Sequence, residues 1–199
     1  GMIQELIILF LSAMIIENAV FARGLVMGDV LRRTETYQSI LWFGGFVAVV
    51  ASLAGAFAWG AALAADRWPA LVQCWWILLM LCVTAAYGLV LAALRFKMKK
   101  SGASGAPFEQ LLASAAFNGA VFAAVLLAAA DRLSLFQTVV YCLGSAAGLT
   151  LAMMLIHSGR ERMELSEVPR AFRGLPVTMI YIGILCLAIY GLIGHQLPA

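Results

Sequence analysis

Charge is scarce in this sequence. Asp, Glu, Lys and Arg make up 12% of its 199 residues, against roughly 25% in a soluble domain. With 64% of residues hydrophobic, that scarcity excludes an ordinary water-soluble fold and points to an integral membrane protein. Histidine occurs twice and cysteine four times. There is no CxxC, no HExxH, no phosphate-binding glycine loop and no Ser-His-Asp ordering. A self-contained hydrolase, transferase or zinc site is therefore not expected, and no metal ligands are assigned. Cys74, Cys82, Cys142 and Cys186 all fall in apolar runs, where four buried thiols read as small packing residues. His157 and His195 sit at the ends of the fifth and sixth apolar runs and read as interfacial hydrogen bonders. The net charge of +3 is small and no nucleic acid partner is expected. Gly1 before Met2 reads as an expression scar. The first apolar run lacks a basic flank and a small-residue cleavage site, so no removable signal peptide is expected.

Six apolar runs are present, at about Ile3 to Ala22, Tyr37 to Ala64, Leu71 to Leu94, Leu111 to Ala130, Leu135 to Ile156 and Val177 to Gly194. Each approaches the roughly 20 residues that span a hydrocarbon core. Because that core offers backbone groups no water, all six are expected to be helices. The loops after runs one, three and five hold eleven of the 13 Lys and Arg, leaving only Arg67 and Arg132 on the other side. By the positive-inside rule the odd-numbered loops are cytoplasmic and both termini lie outside. Trp59, Trp68, Trp75 and Trp76 cluster where runs two and three meet that outer surface, as an aromatic belt does.

The chain also repeats itself. ENAVFARGL from Glu17 answers NGAVFAAVL from Asn118, and YQSILWFGG from Tyr37 answers FQTVVYCLG from Phe136, pairing Gly45 with Gly144. AAYGLV from Ala85 answers AIYGLI from Ala188. An odd number of matched helices per half makes the repeat inverted about an axis in the membrane plane. The expected architecture is all-α, with six transmembrane helices as two inverted three-helix repeats and with helices one and four broken. Residues 1–98 form the first repeat, 99–108 a cytoplasmic linker rich in Gly and Ser, and 109–199 the second repeat.

Polar residues within the apolar runs carry the functional reading. Glu17 lies about fourteen residues into the first run, roughly 21 Å along a helix. A carboxylate there costs on the order of 3 kcal/mol on insertion scales and is a functional candidate; pairing with Arg23 near the surface is the plain alternative. Asn18 and Asn118 either hydrogen-bond between helices or mark where helices one and four split into half-helices lining a cavity. Glu17, Asn18, Asn118 and Gly119 are the candidate ion or substrate path. Gly144 to Gly148 is a GxxxG pattern, expected to bring helices close. The stretch Ser158 to Gly174 reads as a charged cytoplasmic loop, with Arg160, Glu161 and Arg162 as candidate partner contacts.

The run RERMELSEVPRAFRG, the final YGLIG, the Asn118 stretch and the Glu17-Asn18 stretch together resemble the Rnf/Nqr membrane subunit family. The resemblance covers nearly the whole chain and is strongest from Asn118 onward. It implies six helices in inverted halves, outward termini, pairing with a related antiparallel chain, and service in an ion-translocating oxidoreductase complex of a bacterial inner membrane. In the family each broken helix carries a cysteine, and the paired chains hold a 2Fe-2S cluster. Here Gly119 stands where that cysteine is expected, and Ala22 to Gly28 has none. Clusters require thiolates, with histidine the usual substitute, so no iron-sulfur cluster or other cofactor is expected in this chain. Cys142 and Cys186 are the remaining thiols that such a centre would have to recruit.

Two functions follow. One is a membrane subunit of an Rnf/Nqr-like electron-transport complex, acting as scaffold or ion path, partnered by further Rnf/Nqr-like subunits. The other is a stand-alone inverted-repeat transporter of a small solute, proton- or cation-coupled through Glu17. Pairing as a homodimer, or as a heterodimer with a related chain, is expected in both.

Overall fold

A computed structural model describes residues 1–21, 24, 36–68, 73–101, 106–164, 169 and 172–193. Among them all regular structure is helical. Helix α1 (Met2–Leu11) runs directly into a π-helical turn, Ser12–Ile16. There follow α2 (Tyr37–Arg67), α3 (Trp75–Ser101), α4 (Ala106–Ala116), α5 (Gly119–Ala130), α6 (Leu135–Glu164) and α7 (Leu175–Ile193). Expectations resting on Arg23, Arg32, Arg33, Arg170, His195 and most of Ala22 to Gly28 lie outside the described residues.

Three helices, α2, α3 and α6, are each long and apolar enough to cross a membrane. Helices α4 and α5 reach that length and hydropathy only together, as a pair bent by 41° at Phe117-Asn118. Met2–Ile16 and Leu175–Gly191 are apolar but short. The fold is thus all-helical, and among the described residues three helices, or four if the bent pair is one span, have the length and composition to cross a membrane; six spans would also need the two short apolar helices. The first expected span is cut at its polar break, so its helical part is about three turns of α-helix and one of π.

The core is the crossing of α2 and α6. Phe43, Val47, Val50 and Ala54 of α2 and Cys142, Leu149, Met153 and Ile156 of α6 are fully buried there. Glycine allows the backbones to meet: a Cβ on Gly55 would lie 2.9 Å from the Thr138 methyl and 3.0 Å from the Cys142 sulfur. Cys142 is accordingly a packing residue, and Cys82 is also buried, but Cys74 is exposed and Cys186 only half-buried. Helix α1 and its π turn pack on α6, whereas α4 packs on α2, and α5 fills the angle between α2 and α6. Helix α3 lies against α2 and α4, and α7 lies against α6. Arg95 of α3 donates from Nε and Nη2 to the two carboxylate oxygens of Glu109 at 3.0 and 2.9 Å, clamping α3 to α4.

Both α3 and α6 outlast their apolar runs. Helix α3 carries Arg95, Lys97 and Lys99 as helical residues. Helix α6 continues through Ser158 to Glu164, so the first seven residues of the expected loop are helix. The sequence Arg-Glu-Arg-Met-Glu is rich in good helix formers, and a basic residue in the last turn suits the helix dipole.

Candidate functional site

The first break is built by α6. Tyr141, Gly144 and Gly148 fall at i, i+3 and i+7, on one stripe of that helix. A Cβ on Gly144 would sit 2.6 Å from the Phe10 carbonyl oxygen, and one on Gly148 would overlap the Met14 carbonyl. The expected GxxxG contact is therefore made with the end of α1. At this contact α1 loosens into its π turn: the Glu17 N–H reaches back five residues to the Ser12 carbonyl at 3.0 Å. Single π turns of this kind concentrate at functional sites.

Asn18 then ends the helix. Its carboxamide is 2% exposed and engaged on both sides. Nδ2 donates to the Met14 carbonyl at 3.0 Å and to the Gly148 carbonyl at 2.9 Å. Oδ1 accepts from the Val20 and Phe21 amides at 3.0 and 3.3 Å. One side chain thus closes α1, opens the next turn and fastens both to α6. Asn18→Leu is expected to cost about 3 kcal/mol, the sum expected when several buried backbone groups lose their partner. Thermal unfolding in detergent tests this, and a melting point within about 1 °C of the parent would refute the assignment.

Glu17 sits at the break itself, at the C-terminal end of the π turn, rather than in the middle of a continuous helix. A carboxylate is disfavoured at the negative end of a helix dipole. The Tyr141 hydroxyl, from a ring only 3% exposed, donates to Glu17 Oε2. Tyr141 is a site residue that the sequence reading missed, although it lies one turn before Gly144 on the face that the GxxxG pattern marks.

The second break is a helix start. Asn118, at φ −105° and ψ 141°, is the N-cap of α5 and accepts the Ala120 amide at 2.9 Å. Gly119 is the first residue of that helix and is exposed. Just before the break, Phe117 packs against Tyr87 of α3 with ring centroids 5.2 Å apart. Asn118 is 1% exposed and its Nδ2 has no hydrogen-bond partner among the described residues. The two asparagines therefore share an acceptor role and differ as donors. The break at Asn18 lies on α6, while α4 and α5 flank Asn118 and lean on α2.

The candidate partner residues stand on the last turns of α6. Arg160 is half-buried, and Glu161 and Arg162 are exposed. Glu161 Oε1 lies 3.5 Å from Nε2 of the buried His157. That imidazole also meets the Tyr37 ring edge-on at 4.3 Å, and the Tyr37 hydroxyl is 2.9 Å from Ser158 Oγ.

The donor chemistry at the breaks is a carboxylate, a phenol, two carboxamides and a glycine. None of these is the thiolate or imidazole set that an iron-sulfur cluster requires. Among the described residues no three His, Cys, Asp or Glu side chains come together, and the Cys142 sulfur packs against Gly55.

The family model for the Rnf-Nqr membrane protein subunit matches residues 6–195. The chain is 29% identical over 208 aligned positions to the A subunit of the ion-translocating oxidoreductase complex of Syntrophotalea carbinolica, covering 96% of this chain and 97% of the relative. It is 28% identical over 197 positions to the A subunit of the Na(+)-translocating ferredoxin:NAD(+) oxidoreductase complex of Acetobacterium woodii, covering 98% and 100%. A 77-residue stretch is 42% identical to the A subunit of the ion-translocating oxidoreductase complex of an Azoarcus species, covering 39% and 40%. With buried polar breaks in apolar helices and a match along nearly its whole length, the chain belongs to the Rnf-Nqr subunit family of membrane proteins.

Proposed function

We propose that the chain is a membrane subunit of an Rnf/Nqr-like ion-translocating electron-transport complex, and that it supplies scaffold and ion path rather than a cluster of its own. The observation that carries this is the end-to-end match with the A subunits of two such complexes. The donor set at Asn118-Gly119 supports the second part, since it offers no thiol. In this reading Glu17 is the exchangeable charge of the path, Tyr141 positions it, and Asn18, Asn118 and Gly119 shape the breaks.

The chain crosses the membrane six times as two inverted halves, joined by the linker around 99–108. Reciprocal packing supports this: the broken helix of the first half packs on α6 of the second, and that of the second packs on α2 of the first. The distribution of basic residues supports cytoplasmic odd-numbered loops and outward termini in a bacterial inner membrane. Helices α1 and α7 present Ile3, Ile7, Ile8, Ile184 and Leu187 outward, a surface suited to lipid and to a related antiparallel chain, which is either a second copy or a different protein.

Affinity purification from native membranes in mild detergent tests the reading. Other oxidoreductase subunits are expected to co-purify. Replacing Arg160, Glu161 and Arg162 together by Ala is expected to lower their recovery about tenfold, equivalent to roughly 1.4 kcal/mol of contact. A parent chain that emerges alone and active in moving a solute would overturn it in favour of the stand-alone transporter, the reading that the missing thiols also favour.

A further inference from the structure

At the end of the fold away from the charged loops, α2, α5 and the starts of α3 and α6 enclose a cleft of about 390 Å³. Its volume is in the range of about 300–1,000 Å³ typical of ligand sites. The cleft runs along α2 from Gly55 to Asp66, roughly 16 Å at about 1.5 Å per residue. Its lining is mostly apolar and in large part small: Ala58, Ala62 and Leu63 on α2 and Leu126 and Ala129 on α5, with Trp59 and Trp75 also lining it. Tryptophan marks the level where hydrocarbon gives way to headgroups, so the slot is apolar below that level and open to the interface above it.

Two opposite charges guard the mouth. Arg132 Nη2 lies 4.0 Å from Asp66 Oδ1, with side chains 84% and 63% exposed. An exposed pair of that length holds its partners weakly, so both charges are available to another ligand at little cost.

The backbone under Arg132 is unusual. Helix α5 ends with the Leu133 amide on the Ala128 carbonyl and the Arg132 amide on the Ala129 carbonyl, both at 3.2 Å. That is a Schellman closure with Arg132 at the left-handed position, which glycine normally takes. Arg132 holds φ +50°, and it is the one described residue other than glycine with positive φ. Its guanidinium is thus kept at the cleft mouth against the local preference of the chain, and such strain gathers where ligands are clamped.

We propose that this cleft binds one zwitterionic aminophospholipid. An acyl chain lies in the alanine-lined slot, the phosphate pairs with Arg132, and the ammonium pairs with Asp66. A purely anionic headgroup would satisfy Arg132 and be repelled by Asp66. This inference is independent of the complex to which the chain belongs.

The test is to purify the chain from membranes in mild detergent and to quantify co-purifying phosphatidylethanolamine and phosphatidylglycerol by mass spectrometry. About one phosphatidylethanolamine per chain is expected, enriched several-fold over the ratio in the parent membrane. Arg132→Gly relaxes the turn and should melt no lower than the parent while retaining about tenfold less of that lipid. Asp66→Asn should shift the retained lipid toward phosphatidylglycerol. Full retention by Arg132→Gly, or a parent that carries the two lipids in the membrane's own ratio, or carries neither, would overturn the proposal. Should Arg132→Gly fail to express, Asp66→Asn decides, and an unchanged lipid preference overturns it.

Discussion

Glu17→Gln is expected to lower ion-coupled electron transfer about 100-fold, the lower end of what a positioned proton-transferring side chain contributes, while leaving fold and assembly intact. The substitution preserves volume and keeps an oxygen that can accept from the Tyr141 hydroxyl, so only the ionisable group is removed. Because a carboxylate is disfavoured at the negative end of a helix dipole, the melting point should hold or rise. Stability and activity therefore move apart, which a merely structural carboxylate would not produce. Tyr141→Phe should fall between parent and Glu17→Gln, since it takes the positioning hydroxyl from the carboxylate and leaves the charge. Proteoliposomes carrying the purified complex, driven by an electron donor and read by ion uptake, distinguish these outcomes. An unchanged uptake rate for Glu17→Gln removes this residue from the mechanism.

Gly148→Ala is expected to cost about 3 kcal/mol, the upper end of overpacking penalties, from a single added methyl. The new carbon would overlap the Met14 carbonyl and stand 3.0 Å from Asn18 Nδ2. Both neighbours at that point are held: one is backbone, and the other is a carboxamide fixed by four hydrogen bonds. Relief requires parting α1 from α6, which would also lengthen the Asn18 to Gly148 hydrogen bond. Gly45→Ala is the matched control, because a Cβ there meets nothing within 4 Å, and helix propensity favours alanine by about 0.8–1.0 kcal/mol. Thermal unfolding of the two variants and the fraction that elutes monodisperse from size exclusion give the comparison. Equal melting points would mean that the close approach of α1 and α6 does not exist in the membrane protein.

That contrast shows how far the repeat could be read. Aligned by sequence, Gly45 and Gly144 are equivalents, but a Cβ on Gly144 would meet the Phe10 backbone while Gly45 faces open space. The match through Ala-Val-Phe-Ala sets Glu17 opposite Asn118 and Asn18 opposite Gly119. Capping pairs Asn18 with Asn118, one register away. Similar letters thus stand in dissimilar surroundings, because packing against different neighbours decides what each glycine and asparagine does. The same limit applies to the stretch from Ser158: its charges suggested a loop, and helix propensity together with the His157 to Glu161 spacing carried α6 on to Glu164.

From sequence alone came the membrane class, the family and the two breaks, because each is a local property. Scarce charge excludes a soluble fold, an apolar run of bilayer length must be helical, and Glu-Asn or Asn-Gly inside such a run interrupts it wherever it packs. Tertiary structure decided the partners. Glu17 meets a tyrosine 124 residues away and Asn18 a carbonyl 130 residues away, and the cleft below Arg132 exists only because alanines of α2 and α5 face each other. Hydropathy specifies which side chains leave water or lipid, but it carries no record of the distant backbone that will receive their hydrogen bonds, which is set by which glycines let two helices touch.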